Sequence, residues 1–282
     1  SGTRQQRKED EPYFTRIPFK VGGFRAEESS FRTRGFQFAA LVAIAAHLSR
    51  ISRIVVPESG QGALGPVLRP IHKIYRDTRN YPGFFRLMET FVKALLGVRL
   101  DYEQPRLWHT KAQTLKAFLD VPGHKKATLI TARSCWQKRR VVNAGGLRQC
   151  GLCAACLLRR MSLNAAGVIE PRGAYVIADL SVRTLKEALS IIGDSKDRAI
   201  MMEYGRAGAR HFQQLAELAE ASDQELAPDV FDLVKVTKLG EAEVREKLKS
   251  LLKSHAEEWY AFLAAHGEGS FLKEWLIGGC DG

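Results

Sequence analysis

Residues 149–159 read Gln-Cys-Gly-Leu-Cys-Ala-Ala-Cys-Leu-Leu-Arg. Within this stretch Cys150, Cys153 and Cys156 form a C-x2-C-x2-C run, and Cys135 precedes the run by fourteen intervening residues. Closely spaced cysteines in a turn can direct their thiolates at one cation, and zinc takes four such ligands in a tetrahedron. A site with four protein ligands is closed to substrate, so the pattern predicts a structural zinc ion that fixes residues 135–156.

Other chemistry also uses closely spaced cysteines. An iron–sulfur cluster is held by four of them, and the spacing alone leaves that alternative open. A redox C-x-x-C pair would explain only two of the four. Disulfides are disfavoured because residues 1–12 are charged and polar and do not resemble a secretory signal, which also predicts a cytoplasmic protein. The fifth cysteine, Cys280, is predicted to be a free thiol near the end of the chain.

Charge is divided unevenly along the 282 residues, whose net charge is +12. Residues 1–170 hold 29 basic and 12 acidic side chains, whereas residues 171–282 hold 14 and 19. The basic part suits a phosphate-bearing ligand or a nucleic acid, although a plain solvated surface explains it equally well. The longest apolar run, Phe36–Leu48, is too short to cross a bilayer, so no membrane partner is expected.

Periodicity predicts an α/β fold followed by helices. The pattern predicts a helix over 31–51 that is apolar on most sides and therefore buried against a sheet. This helix leads into a short β-branched strand at 54–56, an order that is typical of parallel α/β winding. Further strands are predicted at 13–21 and 128–131, a glycine-rich loop at 57–66, and helices at 81–97 and 110–119. Residues 182–192, 196–219, 227–236 and 241–265 show helical periodicity. We therefore predict an α/β domain over 1–175, which includes the zinc region 135–156, and an all-α C-terminal module over 176–282.

The cysteine region resembles the zinc region of the QueC family. The matching residues are Ser134-Cys135-Trp136, the run 149–159 ending in Arg159, and Ala166-Gly167-Val168. Weaker similarity covers residues 1–9, which resemble the family's Y-G-Q-R-H-x-x-E segment, and also 81–85, Pro105, Trp108 and 110–114, so that the resemblance spans roughly residues 1–170. Members of this family make 7-cyano-7-deazaguanine from 7-carboxy-7-deazaguanine, ammonia and ATP. The resemblance implies a Rossmann-like, adenine-nucleotide α-hydrolase-type parallel sheet with an incomplete N-terminus.

The departures from the family pattern are as informative as the matches. The family's pyrophosphate loop, S-G-G-x-D-S, is absent from the 282 residues. We expect it upstream of Ser1, and we expect ATP with Mg²⁺ to bind only when that segment is present. The helices after residue 175 have no counterpart in the housekeeping synthases. They suggest the anti-phage-defence branch (Qat or CBASS type), in which the acceptor amine belongs to a partner protein that the helical module holds.

Candidate site residues follow from these placements. In open parallel sheets ligands lie at the carboxyl ends of strands, which is where the 57–66 loop begins. The residues predicted to bind the deazapurine are Glu58, Ser59, Gly60, Gln61, Tyr81 and Pro82. The residues predicted to bind nucleotide or phosphate are Arg34, Gly35, Thr110 and Lys111, although a flexible loop or solvated side chains would look the same. Ser134 and Arg159 are predicted to support the metal loop, and no catalytic residue is assigned.

Two functions from different classes follow. The first is an ATP-dependent C–N ligase of the QueC type, which activates a 7-carboxy-7-deazaguanine-type carboxylate and couples it to ammonia or to a protein amino terminus. The second is a non-catalytic, zinc-stapled module that binds nucleic acid or protein. The second is less favoured, because no base-reading or aromatic RNA-binding platform is evident in the sequence.

Overall fold

Helices and one small parallel sheet make up the part of the chain that the structure describes. The computed structural model describes residues 33–71, 76–136, 148–188 and 195–277. The predicted strand at 13–21 and the predicted free thiol Cys280 lie outside these ranges. The strands are β1 (Arg53–Val55) and β2 (Asp101–Glu103). The helices are α1 (Arg34–Leu48), α2 (Gly60–Ala63), α3 (Gly65–Leu68), α4 (Pro82–Leu96), α5 (Lys111–Leu119), α6 (Lys126–Thr131), α7 (Ala154–Ala165), α8 (Leu185–Ala188), α9 (Ser195–Glu217), α10 (Asp223–Thr237), α11 (Glu241–Ala265) and α12 (Phe271–Ile277), with 3-10 turns at Arg172–Ala174 and Leu218–Glu220.

The two strands are parallel, as the helix-to-strand order predicted. Ile54 of β1 is paired with Tyr102 of β2, and α4 lies between the strands in the chain. Helix α4 begins with Pro82 in its first turn and ends at Gly97, which adopts the left-handed conformation that favours glycine (φ 70°). The described residues are therefore mostly helical, with one parallel β-α-β unit.

Side chains of α4 occupy the outer edge of β2. Arg86 donates to the carbonyl oxygen of Tyr102 (2.8 Å), and Glu89 accepts from the amide of the same residue (2.9 Å). The two side chains also form an ion pair with each other. A strand edge carries backbone groups that need partners, and here two side chains supply them. On the inner side, the Tyr102 ring stacks on Phe85, and its hydroxyl donates to the carbonyl of Ala39 (2.8 Å).

Helix α1 confirms the helix predicted at 31–51, and one of its faces packs against the two described strands as expected, although much of its apolar surface stays exposed. Only its alanine face is buried, through Ala39, Ala43 and Ala46. The large apolar side chains point elsewhere, and Phe38 is 52% and Leu48 76% exposed. The alanine face packs in one cluster with Ile54 of β1, Tyr102 of β2 and side chains of α4 such as Phe85.

Two predicted elements are wrong. Residues 128–131, a β-branched run predicted as a strand, belong to helix α6, none of whose residues is buried. The predicted loop at 57–66 folds from Gly60 onward into the short helices α2 and α3. The C-terminal helical prediction is confirmed more closely, since α11 has the predicted bounds 241–265. The apolar residues that give this segment its helical periodicity form one stripe, and all of them are buried: Val244, Leu248, Leu251, Leu252, Trp259 and Phe262.

The largest core joins the cysteine region to the C-terminal helices. Cys150, Cys156 and Leu157 are buried in one cluster with residues of α9, α11 and α12, such as Phe212 and Trp259. This cluster therefore contains side chains from both sides of the domain boundary predicted at residue 175.

One glycine sets how closely α9 approaches α7. A Cβ atom on Gly208 would lie only 2.8 Å from the Cα atom of Ala154. Such an approach is shorter than real Cβ contacts allow, so glycine at this position permits the backbones of α9 and α7 to meet. Among the described residues, none of the helices combines the length and the apolar character that a bilayer crossing requires.

Candidate metal centre

Four thiols converge where the loop before α7 meets the segment around Cys135. The Sγ atoms of Cys135, Cys150, Cys153 and Cys156 all lie within 4.8 Å of one another, and the last three side chains are buried. Four sulfurs bound at 2.3 Å to one ion in a tetrahedron are about 3.8 Å apart. The Cys150–Cys156 sulfur distance is 3.7 Å, which fits such a tetrahedron.

The run 150–153 forms a tight turn around the sulfur of its first cysteine. The amides of Leu152 and Cys153 donate to Cys150 Sγ at 3.4 and 3.3 Å. Gly151 makes this turn possible, because it has a positive φ of 90° and a Cβ atom there would lie 2.5 Å from the carbonyl oxygen of Ile177. Amide donors aimed at a sulfur stabilise its thiolate form, which is the form that binds metal.

Gln149 brings the distant fourth cysteine into place. Its buried side-chain oxygen accepts from the amides of Ser134 (2.8 Å) and Cys135 (3.2 Å). Its backbone pairs with the segment around Tyr175, through Gln149 N to the Ala174 carbonyl and Val176 N to the Gln149 carbonyl. In addition, the amide of Cys150 donates to Cys135 Sγ at 3.3 Å. The predicted support by Ser134 is thus a backbone contact, and the side chain that forms the link is Gln149.

The electrostatics of the four thiols favour a bound cation. Hydrogen bonding from Cys150 and the other thiols lowers the pKa of Cys135, whereas hydrogen bonding to the neighbouring thiols, together with burial, raises the pKa of Cys156. Four thiolates this close repel one another strongly unless a metal ion lies between them. The sulfurs are close enough to contact one shared ion, whereas a [4Fe–4S] cube places each cysteine on a different iron and holds the sulfurs farther apart. The residues therefore fit a single ion such as zinc.

Arg159 supports the metal region from the side. Its guanidinium forms a buried ion pair with Glu170 (2.9 Å) and donates to the carbonyls of Leu129 and Ile130 at the end of α6. Glu170 also accepts from the Tyr175 hydroxyl (2.6 Å), and together with burial this bond raises the pKa of Tyr175. Arg159 therefore links α6 and the segment around residue 170 to the metal helix α7.

The structure brings several of the predicted substrate and phosphate residues together, but around a side chain of α11. Thr110 Oγ1 donates to Glu258 (2.5 Å), and the Gln61 amide nitrogen contacts both His255 Nδ1 (2.9 Å) and Glu258 (3.3 Å). The amide of Lys111 donates to the Gln61 side-chain oxygen (2.7 Å). These bonds attach the loop after β1 and the start of α5 to α11.

Burial sets the protonation of this network. It raises the pKa of Glu258, and it lowers the pKa of His255 to about 4. The neutral imidazole fits its partners, because Nε2 contacts the Phe212 carbonyl (2.9 Å) and Nδ1 is then free to accept from Gln61. Neither Glu258 nor His255 was predicted from the sequence, since both lie within an ordinary amphipathic helix.

The remaining predicted residues are spread over separate parts of the fold. Ser59 and Gly60 are buried, and a Cβ atom on Gly60 would lie 2.2 Å from the Leu107 carbonyl oxygen. The half-buried carboxylate of Glu58 accepts from Ser59. Tyr81 and Pro82 cap and begin α4. Arg34 and Gly35 begin α1.

Because its four thiols converge on one point, the chain has a site that could hold a single metal ion such as zinc. It is 33% identical over 101 residues to 7-cyano-7-deazaguanine synthase 1 of Mesorhizobium japonicum, a match that covers 36% of this chain and 38% of that protein. The chain thus spans well under half the length of the curated relative it matches. No protein-family model and no solved structure matches the chain. The similarity supports a distant, QueC-like relationship to an enzyme.

Proposed function

We propose that this chain is the metal-stapled part of a QueC-type ATP-dependent ligase, which activates a 7-carboxy-7-deazaguanine-type carboxylate and joins it to an amine. The observation that carries the proposal is the convergence of Cys135, Cys150, Cys153 and Cys156 at the motif that resembles the QueC zinc region. The identity to a deazaguanine synthase supports it from a separate direction. The bound ion is zinc, and its role is structural because all four of its ligands come from the protein.

The finer parts of the proposal concern the fold and the nucleotide. The parallel β1–β2 unit is the described portion of a Rossmann-like sheet in the full protein. ATP with Mg²⁺ binds only together with an S-G-G-x-D-S loop, which the 282 residues do not contain, because glycine-rich turns at helix starts present amides to phosphates. Lys111, at the start of α5, contacts a phosphate of the bound nucleotide. The reaction takes place in the cytoplasm, where ATP is available.

The source of the acceptor amine is inferred from the C-terminal helices. The helices after residue 175 exceed what the housekeeping synthases carry, and on that ground we propose the anti-phage-defence branch, in which a partner protein supplies the amino terminus. The same helices share a core with the cysteine region, so a partner held by them would lie next to the metal-stapled loop.

Release of AMP by the full-length protein tests the ligase proposal. Incubation with ATP, Mg²⁺ and 7-carboxy-7-deazaguanine is expected to release AMP only when both ATP and the carboxylate are present. Lys111→Gln is expected to raise the KM for ATP, and Lys116→Gln, on the exposed side of the same helix, serves as the matched control. An absence of AMP from zinc-loaded full-length protein, with ammonia supplied, would overturn the proposal.

A second candidate function rests on one surface. Lys125, Lys126 and Arg133 are exposed beside α6, and Trp136, next to the ligand Cys135, is 49% exposed. Exposed cations together with an exposed aromatic ring suit a single-stranded nucleic acid. Oligonucleotide binding that weakens steeply as salt rises, together with no release of AMP, would favour this non-catalytic module over the ligase.

A further inference from the structure

Three polar side chains of α11 lie together on one side of the helix. His255 directly follows Ser254, and Glu258 lies one helical turn after Ser254, so the three share a side of α11. His255 is buried, and the other two side chains are half-buried. A polar group in a packed interface destabilises that interface unless it is hydrogen-bonded. Here all three are bonded to residues that follow β1 or β2 in the chain.

The bonded residues lie where the two strands of the sheet lead. Gln61 belongs to α2, which follows β1, and Thr110 caps the start of α5, which follows β2. The amide of Gly60 donates to the carbonyl oxygen of His109 (2.8 Å), so the two connections are joined beside these residues. Because β1 and β2 are parallel, both connections leave the same edge of the sheet, and open parallel sheets bind ligands at that edge. The polar side of α11 therefore holds the segments at the ligand-binding edge.

Two first-turn amides of α5 are already bonded to side chains. The Thr110 hydroxyl oxygen accepts from the amide of Gln113 (3.1 Å), and the Gln61 side-chain oxygen accepts from the amide of Lys111 (2.7 Å). Both acceptor side chains are in turn held by Glu258. A helix start binds phosphate through amides that are not otherwise bonded. A nucleotide at this end of α5 would therefore contact the side chain of Lys111 rather than these two amides.

A carboxylate suits both partners of residue 258. The Thr110 hydroxyl donates to one oxygen of Glu258 (2.5 Å), and the Gln61 amide nitrogen donates to the other (3.3 Å). An ionised carboxylate only accepts hydrogen bonds, so each donor has an oxygen of its own. Methionine at this position would keep the length of the side chain and lose both bonds, whereas glutamine would keep one acceptor oxygen.

We propose that Glu258 is a positioning residue of the nucleotide site: through Gln61 and Thr110 it fixes the start of α5, and with it the Lys111 side chain that contacts a phosphate. This inference rests on the proposed ligase function. It makes α11, a helix of the C-terminal module, part of that site. Lys111 touches the nucleotide, and Glu258 acts only through Lys111.

The kinetics of AMP release by the zinc-loaded full-length protein test this role. Glu258→Met is expected to raise the KM for ATP about tenfold and Glu258→Gln about threefold, because each hydrogen bond that positions Lys111 contributes to binding. The kcat should change by about twofold or less, since Lys111 contacts the phosphate before and during the reaction. Glu257→Met, at the exposed neighbouring position of the same helix, is the matched control and should leave the KM unchanged.

A double variant separates positioning from a general loss of structure. If Glu258 acts through Lys111, adding Glu258→Met to Lys111→Gln should leave the KM of Lys111→Gln as it is, because the positioned side chain is already absent. Zinc content and melting temperature show whether Glu258→Met is folded, and Glu258→Gln takes its place in the double variant if it is not.

Two results would overturn the positioning role alone: an unchanged KM in both Glu258 variants, or effects of Glu258 and Lys111 substitutions that multiply. Multiplying effects would assign Glu258 to holding the fold together. A wild-type protein that releases no AMP would instead overturn the ligase proposal, and the positioning role with it.

Discussion

Replacing Gly151 with alanine is expected to destabilise the metal loop by two separable effects. The residue has a φ of 90°, which costs a non-glycine residue about 1 kcal/mol or more. Its new Cβ atom would also lie 2.5 Å from the Ile177 carbonyl oxygen, which accepts a hydrogen bond from Arg160. Displacing that carbonyl adds about 1–3 kcal/mol, the usual cost of overpacking, so the expected total is about 2–4 kcal/mol.

Gly123→Ala is the matched control for this prediction. Gly123 has nearly the same φ, 84°, but its Cβ atom would meet nothing within 4 Å. Gly123→Ala should therefore lower the free energy of unfolding only by the cost of the left-handed backbone conformation, about 1 kcal/mol. Urea unfolding of zinc-loaded protein measures both variants. Equal destabilisation by the two substitutions would refute the inference that the Ile177 carbonyl restricts residue 151.

Two further predictions concern buried charge and pH. Glu170→Gln leaves the buried Arg159 guanidinium without its carboxylate partner and is expected to lower the free energy of unfolding in urea by about 3–5 kcal/mol. Glu241→Gln, the control, removes an exposed ion pair and should lower it by about 1 kcal/mol or less. Similar losses for the two variants would contradict the inference that the Arg159–Glu170 pair is buried. Burial lowers the pKa of His255 from 6.5 to about 4, so the unfolded chain binds a proton at this residue more readily than the folded one. The folded state is therefore unaffected by this residue's titration above pH 6.5, and it loses about 3 kcal/mol of stability as the pH falls from 6.5 towards 4. His255→Gln should make the free energy of unfolding depend less steeply on pH between 6.5 and 4, whereas the control His47→Gln, at an exposed position, should not. If the His255→Gln and His47→Gln curves were identical, His255 would not be a buried neutral imidazole.

The sequence correctly predicted those helices whose ends and buried faces are determined by residues within the helix itself. Helix α5 begins with a capping box, in which the side chains of Thr110 and Gln113 each bond the other's amide, and the predicted start at 110 follows from it. The bounds of α11 follow from its apolar stripe, all of which is buried. The cysteine cluster was also readable, because the C-x2-C-x2-C spacing brings three thiols into one short segment that could hold a metal ion.

Long-range contacts decided the elements that were mispredicted. The β-branched run 128–131 is typical of a strand, yet it forms the last part of α6, whose terminal carbonyls accept hydrogen bonds from Arg159. Gln61, predicted to bind the deazapurine, bonds to His255, 194 positions away in the chain. No periodicity or motif near residue 61 or residue 129 carries that information.

X-ray absorption at the metal edge of the purified full-length protein tests the central claim most directly. We expect one zinc ion per chain with four sulfur neighbours at about 2.3 Å, and the loss of one sulfur neighbour in Cys135→Ser. A protein without stoichiometric metal, a spectrum with a short iron–iron distance, or an unchanged sulfur count in Cys135→Ser would contradict it.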